Sequence, residues 1–239
     1  MPRSAPRLPV PALVLLAALA CGGQARAQAQ AYGLDPVHTR VVFAVDHAGF
    51  SKAIGTVSGS RGTLLFDPED WTSARLEAQV PIAALDLGDE RWNRAVLGRG
   101  LLDAERYPAA RFVSERIEPL DADRAAVHGT LTLRGVTRPA TLEVVFNALK
   151  RHPMPPFRRT VGFSATTTLS RAEFGIDAWP SMIGDTVELR IEAEATRIRG
   201  GYGQATPAPA PAAAPDRPAT GDLPLPPPPE HESEQDPTP

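Results

Sequence analysis

Val187-Glu-Leu-Arg-Ile-Glu-Ala-Glu-Ala-Thr196 alternates without a break: Val187, Leu189, Ile191, Ala193 and Ala195 fall on one side of an extended chain, and Glu188, Arg190, Glu192, Glu194 and Thr196 fall on the other. Side chains of a strand point to opposite faces in turn, so this segment has one dry face and one wet face. The same period recurs toward the N terminus. Residues 161–169 place Phe163, Ala165 and Thr167 on one face, and further alternating runs occupy 140–149, 125–133 and 110–117. In 74–82, Leu76, Ala78, Val80 and Ile82 point one way while Arg75, Glu77 and Gln79 point the other. Residues 54–66 read as a long, glycine-interrupted strand or hairpin, closed by Asp67-Pro68-Glu69-Asp70. The first strand region is 32–47, entered through Asp35-Pro36, with Val41, Phe43, Val45 and His47 on one face.

The period breaks at 89–100. Trp92, Val96 and Leu97 recur there at helical spacing, Asp89 and Glu90 make an acidic first turn, and Gly98 and Gly100 end the run. About eight strands, short turns such as 134–139 and one inserted helix predict an all-β domain, either a closed antiparallel barrel or a sandwich. A barrel of eight strands has an interior just wide enough for its own side chains or for one small ligand.

The ends of the chain have a different composition. Arg3 and Arg7 precede an apolar stretch from Val10 to Ala20, which is the length of a signal-peptide core and too short to span a bilayer, and Ala25-Arg26-Ala27 offers a cleavage site. The expectation is a signal peptide over 1–27, a short mature lead-in over 28–31, and export to the periplasm. Ala18-Leu19-Ala20-Cys21-Gly22 also resembles a lipobox, so a lipoprotein anchored at Cys21 is the minority alternative. Cys21 is the only cysteine, which leaves the domain over 32–202 without a thiol or an internal disulfide, so its stability must come from a core.

From Gly203 to Pro239 the chain is rich in proline, with 12 of the 26 prolines between Pro207 and Pro239, and it ends in an acidic stretch. Such a composition lacks the apolar residues that offset ordering entropy, so 203–239 is expected to be a disordered tail. The residues between leader and tail hold 21 basic and 22 acidic side chains. No basic stripe points to nucleic acid.

Enzyme chemistry finds no support in the motifs. Ser51, Ser58, Ser114, Ser164, Ser170 and Ser181 lie in no G-x-S-x-G context, and Asp86, Asp103 and Asp177 read as turn and cap residues. His38 and His47 are nine residues apart on one extended region, too far to share an ion without a bend, and no metal-binding motif accompanies them. Hydrogen bonding beside the Asp35-Pro36 turn suits His38. No catalytic residue, metal or required cofactor is expected.

An ordered series of short motifs runs through the domain: Tyr32-x-x-Asp35-Pro36-x-His38, Phe43-x-Val45-x-His47, Gly55, Phe66-Asp67, Leu85-Asp86-x-Gly88, Asp103-x-x-x-Tyr107-Pro108, and Gly129-x-Leu131-x-Leu133-x-Gly135-Val136-Thr137-x-Pro139. Together these resemble the YceI-like family of bacterial periplasmic lipid-binding proteins, over essentially all of 32–199. The resemblance implies an eight-stranded antiparallel lipocalin-like β-barrel with one or two short helices, whose elongated apolar cavity holds a polyisoprenoid chain such as a quinone tail. It also implies that His47 lies near the cavity end, within reach of a head group, with structural hydrogen bonding as the alternative role. Where family members commonly carry an Arg-Asp pair and a histidine in the helix, this chain has Trp92, Asn93 and Ala95. Trp92-Asn93 retains a large apolar group and a hydrogen-bonding group able to cap the barrel.

The residues expected to line the cavity are Phe43, Val45, His47, Trp92, Leu131, Leu133, Phe163, Leu189 and Ile191. Large apolar side chains such as Trp92, Phe43, Phe163, Phe174 and Trp179 also suit plain core. The expected ligand is an isoprenoid lipid. The alternative is an interaction module without its own ligand that assists a membrane electron-transfer protein. The oligomeric state is open, a dimer among the options.

Overall fold

The computed structural model describes residues 29–199. The expected leader, Cys21 and the Pro-rich tail lie outside the described residues. Eleven strands form in chain order: β1 (Gln30–Leu34), β2 (Arg40–His47), β3 (Ser51–Val57), β4 (Arg61–Phe66), β5 (Arg75–Pro81), β6 (Leu85–Asp86), β7 (Ala109–Pro119), β8 (Arg124–Leu133), β9 (Val136–Arg151), β10 (Arg159–Ser170) and β11 (Ile183–Arg197). Among the described residues one α-helix, α1 (Glu90–Leu97), lies between β6 and β7, and there are three single 3₁₀ turns.

The eleven stretches make eight barrel strands because three strands are interrupted. β1 and β2 run along the same neighbour, β11, through Tyr32↔Arg197 and Val41↔Ile191. β4 and β3 follow them through Tyr32↔Leu64 and Val41↔Val57, and β5 and β6 come next through Leu64↔Leu76 and Val57↔Leu85. The remaining strands join in sequence, every pairing is antiparallel, and the β1–β11 pairing closes the ring. The expected eight-stranded antiparallel barrel is therefore the observed fold.

The first strand region, read as continuous over 32–47, is broken at 35–39. Pro36 cannot donate to a ladder. The Asp35 carboxylate instead accepts from Val37 N at 2.9 Å and His38 Nδ1 at 2.9 Å, and Thr39 N donates to the Asp35 carbonyl at 2.9 Å. The second break meets the first, with Gly59 N donating to the Pro36 carbonyl at 3.1 Å, and the third is tied down by Ile82 N to Pro108 O at 2.8 Å. Interruptions of this kind bend strands where a barrel must curve.

The turn read over 134–139 is shorter than expected. Arg134 and Gly135, with φ of 49° and 75°, form a two-residue hairpin between Leu133 and Val136. Pro139 therefore stands inside β9. This is tolerated because β9 pairs only with β8 at that level, β10 joining from Glu143 onward, so the missing N–H faces an open edge.

Candidate functional site

The dry faces of the strands enclose a cavity of about 1260 Å³. Its wall takes alternate residues of each strand: Val41, Phe43 and Val45 from β2, Leu76, Ala78 and Val80 from β5, and Val187, Leu189, Ile191 and Ala193 from β11. Pockets for drug-sized ligands run to about 1,000 Å³, so this cavity suits something larger. The inward positions of β11 from Ile183 to Ala193 cover roughly 33 Å of strand. With strands tilted by about 40°, the cavity is roughly 25 Å long.

One end is closed by aromatic rings. Phe66 meets Phe163 edge-on at 5.3 Å and Trp71 at 5.6 Å, and Phe146 lies 5.8 Å from both Trp71 and Phe163. Around this floor Tyr32, Leu64, Phe112, Val127 and Val161 form the main buried core. Higher on the wall the Phe43 ring lies over Gly55, its partner on β3. A β-carbon on Gly55 would stand 2.3 Å from the Phe43 ring and 2.9 Å from the Asp86 carbonyl.

The other end carries the polar groups. Helix α1 begins at Asp89, whose carboxylate accepts from Arg91 N at 2.8 Å and Trp92 N at 3.0 Å as an N-cap. Asn93 fixes the helix to the preceding strand, accepting from Leu87 N at 2.7 Å and donating to Asp86 at 3.0 Å. The Asn93 amide, and after it Gly88 N–H, holds the Asp86 carboxyl below its ordinary range. Trp92 lies beside the cavity and its ring centroid is 5.2 Å from that of His47. Under the helix, Val96 packs on a second core of Leu101, Phe174 and Ile176.

The segment from Arg171 to Ile183 completes this end. Arg171 is 7% exposed, and its guanidinium donates to the carbonyls of Ile176 at 2.6 Å, Ile183 at 2.8 Å and Gly184 at 2.9 Å. Asp185 accepts from Ala172 N at 2.9 Å, and its carboxyl is lowered first by the Ser170 hydroxyl and then by that amide. Arg134 binds the carbonyls of Gly175 and Arg99, which joins the β8–β9 hairpin to both neighbouring loops.

All nine side chains named from the sequence (Phe43, Val45, His47, Trp92, Leu131, Leu133, Phe163, Leu189 and Ile191) stand on the cavity wall. Phe174 is core, 1% exposed, yet it also touches the cavity. Sequence reasoning missed Arg171 and Trp71, which line the two ends. The signal for Arg171 was present: continuing Phe163, Ala165, Thr167 and Leu169 by one step of two puts an arginine on the dry face.

Three of the six serines weighed as nucleophiles make structural hydrogen bonds. Ser114 Oγ accepts from Leu76 N at 2.8 Å, Ser164 Oγ donates to Glu192 at 2.6 Å, and Ser170 Oγ accepts from Glu173 N at 3.3 Å. Among the described residues no three His, Cys, Asp or Glu side chains gather as a metal site would require.

A family model described as "YceI-like domain" matches residues 32–195. A UPF0312 protein of Pseudomonas savastanoi pv. phaseolicola is 31% identical over 186 residues, covering 78% of this chain and 95% of the relative, and one from Pseudomonas fluorescens is 31% identical over 197 residues, covering 77% and 98%. Among solved structures, Burkholderia cenocepacia BcnA superimposes with a TM-score of 0.61 at 23% identity, covering 67% of this chain and 98% of its own. A polyisoprenoid binding domain from Saccharophagus degradans superimposes with a TM-score of 0.56 at 13% identity, covering 71% and 99%. At these identities the structures speak for a shared fold.

Proposed function

The chain belongs to the YceI-like family, and from that premise we propose that it is an exported carrier that holds one long apolar lipid chain, of polyisoprenoid type, inside its barrel. The observation that carries this reading is the cavity of about 1260 Å³, apolar along its length, closed by aromatic rings at one end and edged with polar groups at the other. A fold stabilised by its core gains nothing from an interior void, since contacts across a gap are lost. An apolar occupant restores them. Each buried methylene is worth about 0.8 kcal/mol, so a chain of about twenty carbons gains roughly 16 kcal/mol before the loss of its freedom is subtracted. The Saccharophagus degradans neighbour, described as a polyisoprenoid binding domain, supports the ligand class.

In this reading the chain enters tail first. The aromatic floor stops it, and His47, Trp92 and the groups around α1 meet any head group. The leader delivers the barrel to the periplasm, where water-insoluble chains need a carrier between membranes. The role is binding, without chemistry on the ligand. The test is to strip the protein of lipid, reload it from detergent with a polyprenol, and weigh the complex by native mass spectrometry. One chain per barrel is expected, and a protein that never loads would overturn the reading.

A further inference from the structure

At the open end of the barrel, three separate segments raise large apolar side chains into water. Phe50, at the tip of the β2–β3 hairpin, is 92% exposed, Met182 is 48%, Trp92 is 43% and Trp179 is 39%. Defined contacts join them into one rim. Ala48 N donates to the Met182 carbonyl at 2.7 Å, Met182 N donates to the Trp179 carbonyl at 2.9 Å, and the His47 ring meets Trp92 at 5.2 Å.

The backbone that displays this rim is unusual. Ala48 and Trp179 have φ of 54° and 50°, the left-handed region that non-glycine residues seldom occupy. The turn bearing Phe50 is held in place by Phe50 N to His47 O at 3.1 Å and by Gly49 N to the Asp46 carboxylate at 3.0 Å. Strained backbone, ordered by specific bonds, here serves to hold a phenylalanine in water. Packing gains nothing from that arrangement, whereas a surface to be covered does.

Trp92, Trp179 and Met182 also line the cavity mouth, so the exposed rim and the apolar interior are one continuous surface. Arg91 and Arg94 stand at the same mouth. Arg94 lies 3.6 Å from Glu90, Arg91 makes no ion pair among the described residues, and the nearby Asp46 and Asp89 carboxylates are engaged with backbone amides. On the premise that the cavity takes a lipid chain, we propose that this rim docks on a bilayer leaflet, with Phe50 inserting among the lipids and Arg91 and Arg94 facing their phosphates. Tryptophan favours the membrane–water interface, and apolar side chains flanked by arginine bind it. A docked mouth lets the chain pass from leaflet to cavity without crossing water.

The far end of the barrel supplies the control. Leu120, Met154 and Phe157 are exposed there, and Phe157 is itself left-handed with φ of 55°, but Phe66, Trp71, Phe146 and Phe163 close that end, so what sets the mouth rim apart is its continuity with the cavity and its arginines. Phe50 is not part of the cavity wall, so Phe50→Asp leaves loading from detergent intact. With vesicles of phosphatidylethanolamine and phosphatidylglycerol carrying a polyprenol, Phe50→Asp is expected to slow uptake about tenfold, equivalent to about 1.4 kcal/mol, and to abolish co-flotation of the protein with the vesicles. Phe157→Asp should change neither. Unchanged uptake and flotation in Phe50→Asp, or an equal loss in Phe157→Asp, would overturn the docking surface. A concentration-dependent dimer that Phe50→Asp dissolves, with flotation unaffected, would assign the rim to a second copy instead. Flotation needs no bound chain, so a protein that floats and never loads contradicts the carrier reading alone, whereas one that loads and never floats contradicts the docking surface alone.

Discussion

The imidazole of His47 and the indole of Trp92 lie 5.2 Å apart between ring centroids, inclined by 38°, at the mouth of the barrel. One comes from the end of β2 and the other from α1, so the pair joins the wall of the cavity to its cap. His47→Phe keeps the ring contact and removes the ring nitrogens. Losing one hydrogen bond in a half-buried site costs about 0.5 to 1.5 kcal/mol, so chains bearing a carbonyl or hydroxyl head should bind up to about tenfold more weakly, and head-free chains should bind as before. Titration with a quinone and with a plain isoprenoid hydrocarbon reads the difference. An equal effect on both would make His47 a structural residue.

Leu131 and Ile191 sit on the wall between the aromatic floor and the mouth, and Leu131 packs against both buried cores. Leu131→Trp or Ile191→Trp should block the passage of a chain. Overpacking costs about 1 to 3 kcal/mol in a filled core, and an open cavity absorbs part of that, so the variants should fold. Polyprenol binding at wild-type affinity in both would show that the chain does not occupy this cavity.

Arg171 ties three carbonyls of the 176–184 segment to the end of β10. Arg171→Leu leaves those acceptors without their donor, and each unsatisfied buried polar group costs about 1 to 3 kcal/mol, so a total loss of about 3 kcal/mol or more is expected from urea denaturation. A loss below about 1 kcal/mol would mean that water or neighbouring groups replace the guanidinium.

The Asp86 carboxyl is held below its ordinary range, first by the Asn93 amide and then by Gly88 N–H. A carboxyl whose folded value is lower than its unfolded value contributes stability that is full above the unfolded value, about 3.9, and is lost as pH falls through the folded one. The attachment of α1 to β6 should therefore loosen only in acid. Asn93→Ala should move the Asp86 midpoint up toward the ordinary range in a carbon-detected NMR titration. An unmoved midpoint would assign the lowering to Gly88 alone.

Strand alternation carried most of this fold in the sequence. From Val187 to Thr196 the inward and outward residues are as the period gives them, because a sheet with one dry face cannot slip by one residue without burying charges such as Glu188 and Arg190. The breaks at 35–39 and 58–60 were less legible, since they depend on a contact between two distant turns, Gly59 N to Pro36 O, that no local pattern reports. Pro139 was read as a turn residue because a single sequence does not tell which edge of a strand lacks a neighbour. At the site, the strand residues of the wall followed from parity, whereas Trp92, on α1, has no strand parity, and the place of His47 at the cavity end came from the family resemblance. The rim did not follow, because Phe50, Trp179 and Met182 belong to loops without a period, and they meet through a bond between distant turns, Ala48 N to the Met182 carbonyl.

If the barrel is a container, its contents identify what it holds. The full chain, expressed in a bacterium with residues 1–27 retained, purified without detergent and weighed by native mass spectrometry, should carry one apolar lipid per barrel, released into organic solvent and identified as an isoprenoid. Protein that emerges with an empty cavity, and that stays empty after incubation with polyprenol in detergent, would mean that the barrel holds no lipid chain.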